Sequence, residues 1–211
     1  MTNFIPIFPL ATVVYPGEPL NLHIFEPRYK ELVRECLAEK KPFGIPVVID
    51  KKAAEYGAAV EVLSLEKEYE NGEMDIRTRG QRVFRILEVV REIPGKLYSG
   101  AIVTYPDNDF KSNASLLKQV LHAVRELHKI LQVDKDFKKE DEALLSYDVA
   151  HHAGLSLNEE YELLHLFHEL QRLEYLKRHL YKAIPLMAEM ERLKDRVKLN
   201  GHFRNLSVDN F

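Results

Sequence analysis

Apolar positions along this chain keep two different periods, which change over near residue 106. Before it, short apolar and β-branched runs are cut by proline and glycine, the signature of strands and turns. The runs Ile5 to Leu10, Leu20 to Phe25, Phe43 to Ile49, Val60 to Tyr69, Met74 to Arg79, Val83 to Val90 and Leu97 to Tyr105 predict about six or seven strands. Phe43 to Ile49 is almost wholly apolar and predicts a strand buried on both faces. Asn71-Gly72 predicts the turn of a hairpin. Gly80 marks a bulge or a close backbone approach. One helix interrupts the strands: Pro27 suits a first helical position, and Tyr29, Leu32, Val33, Cys36 and Leu37 follow at spacings of three and four.

After residue 106 the period is helical. Leu117, Val120, Leu121, Val124, Leu127 and Leu131 form one stripe, and a shorter helix is predicted over Glu140 to Ala153 with Gly154 as its stop. Ser156 and Glu159 form a capping box for a helix running to about Tyr181 along Leu163, Leu166, Phe167, Leu170, Leu173 and Leu180. Pro185 is predicted to open a last helix with Leu186, Met190, Leu193 and Val197 on one face, ended by Gly201. That narrow stripe packs within the chain or pairs with a second copy, so a homo-oligomer through the C-terminal helices is an open expectation. The last ten residues read as loosely held. The pattern gives an α+β protein in two domains, 1–106 and 107–211, the first a mostly antiparallel, partly closed barrel and the second a helical bundle.

Composition narrows the function classes. With 33 acidic and 30 basic side chains the net charge is −3, which argues against nucleic acid as a partner. The single cysteine, Cys36, forbids an intramolecular disulfide and reads as a small core residue. The N-terminus has no basic, apolar signal, and no run approaches the roughly 18 apolar residues of a membrane helix, so a cytoplasmic protein without membrane contact is expected.

Catalytic signatures are missing from the sequence. Gly95-Lys96 is not a phosphate-cradling loop, because Val90 and Leu97 stand where glycine and a hydroxyl residue are needed. His165 and His168 share a helical face, yet Arg172 stands where the zinc-peptidase pattern needs its second histidine. No catalytic residue, metal or cofactor is therefore expected. Arg77, Arg79, Arg82 and Arg85 cluster around Gly80 and offer an anion or RNA face, if they are not a solvated strand face balanced by glutamates.

A series of short motifs carries a family resemblance: Ile5-Pro6-Ile7-Phe8-Pro9-Leu10, Val13-Val14-Tyr15-Pro16-Gly17, Pro19-Leu20, Leu22-His23-Ile24-Phe25-Glu26-Pro27-Arg28-Tyr29, Phe43-Gly44-Ile45, Tyr56-Gly57 and Gly80-Gln81-Arg82-Val83-Phe84-Arg85-Ile86. In order and spacing these resemble the N-terminal, substrate-binding domain of the Lon protease family, and the segment from Leu22 to Tyr29 resembles its short stand-alone members. The resemblance implies a PUA-like pseudobarrel followed by helices. It also implies a non-catalytic module that engages unfolded or tagged polypeptide or a partner protein, as an adaptor or regulator of proteolysis. The family's ATPase and peptidase domains have no counterpart in this length of chain. Sheet edges and apolar grooves of a barrel suit strand addition. The groove candidates are Pro9, Leu10, Pro16, Leu22, Phe25, Arg28, Tyr29 and Gly57, with Phe25 and Tyr29 also readable as core. Arg28, a cation in a first helical turn, needs a partner there, either a local acid or a ligand carboxylate.

Overall fold

Among the described residues six strands and five α-helices follow in the order β1 (Asn3–Pro6), β2 (Pro19–Ile24), α1 (Pro27–Glu39), β3 (Phe43–Ile49), β4 (Lys52–Glu68), β5 (Met74–Val90), β6 (Gly100–Thr104), α2 (Ala114–Ile130), α3 (Ser146–Val149), α4 (Leu157–Leu164) and α5 (Glu169–Asn205). The computed structural model describes residues 2–135 and 137–205. The fold is α+β, with the strands first and most of the helices after them.

Residues 3–10 hold the two ends of the sheet together. Hydrogen-bonded strand order is β1-β6-β5-β4-β3. β1 runs antiparallel to β6, and the chain just after it bridges β3 in parallel at Ile7–Gly44 and Leu10–Val47. Phe8 N–H donates to the Gly44 carbonyl (2.8 Å) and Val48 N–H to that of Leu10 (2.8 Å), so the sheet closes into a barrel. One predicted strand, Ile5 to Leu10, thus serves two neighbours. β2 stands off this path and pairs only with the first half of β5.

Met74–Val90 is one strand where two were expected. Its register against β4 shifts where Val60 faces Gly80 and Ala59 faces Arg82, so Gln81 is bulged out. Gly80 also makes a close approach: a β-carbon there would lie 3.0 Å from the Tyr15 carbonyl carbon and closer still to its oxygen. The long, bent β5 can then pair with β2 at one end and β6 at the other. At the hairpin tip Gly72 takes φ +75°, as the Asn-Gly signal requires.

Contacts divide the chain into two units, residues 1–111 with 155–169, and residues 112–154 with 170–211. This division differs from the expected cut after 106 in two respects: the first unit runs on to Lys111, and Leu155–Glu169 groups with the strands. In the first unit α1 lays Tyr29, Leu32, Val33 and Cys36 onto a core with Phe8, Ile24, Phe43, Ile45, Val60, Met74 and Ile76. Burial pushes the Cys36 thiol up to about 12, which leaves it protonated and inert as expected of a core residue. A smaller cluster, Ile5, Ile7, Ala59, Phe84, Ala101 and Val103, lies under β1 and β6.

The Ser156–Glu159 capping box forms as read: Glu159 accepts from Ser156 N–H (2.8 Å), and the Ser156 hydroxyl accepts from Glu159 N–H (3.4 Å). The helix it opens stops at Leu164, not at Tyr181. Asp109 explains the stop, because its N–H donates to the Phe167 carbonyl (2.7 Å) and its carbonyl accepts from Glu169 N–H (3.0 Å). These contacts replace helical ones across His165 to His168.

In the second unit α2 buries Leu117, Val120, Leu121, Val124 and Leu127, and Asn113 caps it through a bond from Leu116 N–H (3.0 Å). The predicted helix over Glu140 to Ala153 is instead two 3₁₀ turns, Asp141–Ala143 and Ala150–His152, flanking the single turn α3. α5 passes through Pro185 and Gly201 without a break, so neither acts as the boundary the sequence suggested. Proline removes one rung of the ladder, and the strong helix formers on both sides carry the helix past it. Residues 206–211, most of the tail read as loosely held, lie outside the described residues.

Candidate functional site

β2 and the start of α1 form an exposed corner. The carbonyls of Glu18 and Leu20 face β5, where they accept from Gly80 N–H (2.9 Å) and the Thr78 hydroxyl (2.8 Å). Alternation then turns the backbone groups of Asn21 and His23 toward the other edge, which no strand among the described residues occupies. The strand runs into Phe25, whose side chain is 59% exposed. Pro27 then starts α1, and the Glu26 carbonyl accepts from Tyr29 and Lys30 N–H (both 3.0 Å).

Arg28 finds its partner locally. Its Nε donates to Glu26 Oε2 at 2.9 Å, a second nitrogen lies 2.7 Å from the same oxygen, and the guanidinium sits 4.5 Å from the Tyr29 ring centroid. Tyr29 is buried and stacks on Phe8 with centroids 3.9 Å apart; that burial raises its phenol above the ordinary tyrosine range.

The eight groove candidates occupy different surroundings. Leu10, Leu22 and Tyr29 pack on the main core. Phe25 and Arg28 are exposed at the corner, and half-buried Pro9 precedes Leu10. Phe25 is therefore a surface residue, which corrects its reading as core. Pro16 lines a separate hollow with Arg82, Val83, Pro106 and Phe110. Gly57 lies inside the sheet, where a β-carbon would come within 2.6 Å of the Pro46 α-carbon.

Sequence reasoning missed a polar network beside Phe25. The register sets His23 opposite Asp75. His23 Nδ1 lies 2.7 Å from Asp75 Oδ1 and its Nε2 3.3 Å from Glu73 Oε2, while the Tyr69 hydroxyl donates to Asp75 Oδ2 (2.7 Å). The hydrogen bond to Asp75 raises the imidazole above its usual value and holds the Asp75 carboxyl below its own. A raised histidine stabilises the fold below the unfolded value near 6.5, and that contribution is lost as pH climbs through the folded value. NMR titration of the His23 ring should give a midpoint above 6.5, and Asp75→Asn should bring it down. An unmoved midpoint in that variant would show that Asp75 is not the cause.

The arginine face is divided by the bulge. Arg77 and Arg79 point outward with no ion pair among the described residues, and Arg79 stands opposite Glu61. Arg82 lies over Tyr105 (4.6 Å), and Arg85 pairs with Glu55 (2.7 Å). Of the histidines considered as ligands, His165 stacks on Tyr56 (5.1 Å) and His168 lies exposed, 3.8 Å from Asp109. Among the described residues no three His, Cys, Asp or Glu side chains converge as a metal site, and no helix is long and apolar enough to cross a membrane. Arg172 is fully buried and bonds Ser146 Oγ (2.8 Å), so it is a structural residue of the second unit.

Comparison with known proteins places this geometry. The model of the ATP-dependent protease La (LON) substrate-binding domain matches residues 5–182. Among solved structures, a Lon N-terminal domain protein from Xanthomonas campestris is 27% identical, with a TM-score of 0.61 over 82% of this chain and 96% of that one. The N-terminal domain of the Mycobacterium avium complex Lon protease shares the fold, with a TM-score of 0.62 at 15% identity over 85% of this chain and 98% of that one.

Proposed function

The chain belongs to the family of LON substrate-binding domains, and from that premise we propose that it is a non-catalytic module that binds extended, unfolded or tagged polypeptide. The single observation that carries this reading is the half-paired β2, whose outer edge ends at exposed Phe25. An extended chain adding to that edge would gain main-chain hydrogen bonds from Asn21 and His23 and an aromatic contact from Phe25. Such a module serves as an adaptor or regulator of proteolysis in the cytoplasm. Self-association would strengthen its hold on a long substrate by offering two edges at once.

Binding of the purified chain to a permanently unfolded polypeptide tests the proposal. Binding should persist at high salt, and Phe25→Asp should weaken it about tenfold, the loss of one desolvated aromatic contact. Because Phe25 is mostly exposed, the variant should melt with the parent. Tyr29→Asp is unsuitable, since it would place a charge against Phe8 inside the core. Equal binding by parent and Phe25→Asp would remove this surface as the site.

A second reading, anion or RNA binding, has in its favour the exposed Arg77 and Arg79, which have no ion pair among the described residues. It predicts affinity that falls steeply with salt and with Arg77→Glu, and is indifferent to Phe25.

A further inference from the structure

The far part of α5 carries Leu186, Met190, Leu193 and Val197, all half exposed or more. Their spacings of four, three and four are those of a heptad seam rather than of a helix packed on a broad core. With Met190 at position a and Leu193 at d, Leu186 falls at d and Val197 at a. Glu189 and Arg196 then both occupy g, on the same flank of the stripe.

We propose that this stripe is the contact with a second copy of the chain, the two α5 helices running antiparallel about a two-fold axis between Glu191 and Arg192. The pattern is self-complementary in that register alone. Met190 packs against Leu193 of the second copy, and Leu186 against its Val197. The flanking g positions then bring Glu189 to Arg196 of the second copy, and symmetry repeats the pair. A parallel pair uses the charges less well. Glu189 would there meet Lys194, which already bonds Glu191 within its own helix (2.6 Å), and Arg196 would meet position 201, a glycine. The seam is only about 18 Å long, so association is weak and reversible, in the micromolar range. The inference stands apart from polypeptide binding at β2, and either can fail without the other.

Sedimentation equilibrium of the full chain, from about 5 to 300 μM, tests it. The parent should pass from monomer to dimer across that range. Arg196→Glu and Glu189→Arg each set two like-charge pairs against one another and should weaken the dimer about tenfold. The double variant should recover parental association, and an equal mixture of the two single variants should form the heterodimer. Met190→Asp with Leu193→Asp should stay monomeric while keeping the parental circular dichroism melt, because both side chains are exposed. A parent that remains monomeric throughout overturns the proposal. So does an Arg196→Glu variant that dimerises as well as the parent, since only the antiparallel register gives Arg196 a partner.

Discussion

Gly57→Ala should lower the melting temperature by about 6–12 °C, the equivalent of roughly 3 kcal/mol for a chain of this size. The added methyl would collide with the Ile45 carbonyl oxygen, lie 2.6 Å from the Pro46 α-carbon and 2.7 Å from Phe84 Cζ. Two of those three neighbours are backbone, held by the β3–β4 pairing of Ile45 with Ala58 and Pro46 with Gly57. A strand must therefore move before the methyl fits. Gly100→Ala is the matched control. Its methyl would strike the ring of Phe4, an exposed side chain that can swing aside. A loss at position 57 no larger than at position 100 would mean that β3 and β4 yield easily at this contact. The geometry at stake is the barrel, so any loss of polypeptide binding in Gly57→Ala would follow unfolding rather than a lost contact.

Arg172→Ala is the second large effect expected. The side chain is fully buried, its Nε bonds Ser146 Oγ, and its guanidinium lies 4.2 Å from the Tyr147 ring centroid. Truncation opens a cavity and removes both the bond to Ser146 Oγ and the contact with the Tyr147 ring, together about 3 kcal/mol. The urea midpoint should fall by about 1.5 M if the slope is near 2 kcal/mol/M. Arg172→Lys should recover little of it, because an ammonium lacks the planar fork that both bonds and stacks. Full recovery by lysine would show that charge alone is needed there.

How much of this was legible in the sequence depends on whether the signal was local. The Ser156–Glu159 capping box, the Asn71-Gly72 turn and the buried face of α1 are written within a few residues, and each formed where it was read. β4 begins at Lys52, well before the predicted Val60, because Ala53, Ala54, Gly57, Ala58 and Ala59 have little strand preference of their own and are recruited by β3. β6 is shorter than predicted because Tyr98 leaves the strand to enter the main core, where its hydroxyl donates to Glu35. The break at His165 to His168 depends on Asp109, more than fifty residues away in the chain.

The candidate site divides the same way. Arg28 met the local acid that its position called for, and Tyr29 joined the core. Phe25 read as core because the strand ahead of it is apolar, yet it falls one residue past the end of β2 and turns outward. The His23–Asp75 pair needs the β2–β5 register, which no local pattern encodes. The outer edge of β2, unoccupied among the described residues, likewise follows from strand order, a property of the whole sheet.

Hydrogen exchange of the full chain, with and without saturating unfolded polypeptide, reads strand addition at β2 residue by residue. Strand addition at β2 predicts new protection at the Asn21 and His23 amides and little change in β4. Unchanged exchange along β2, with protection arising instead around Arg77 to Arg85, would contradict it.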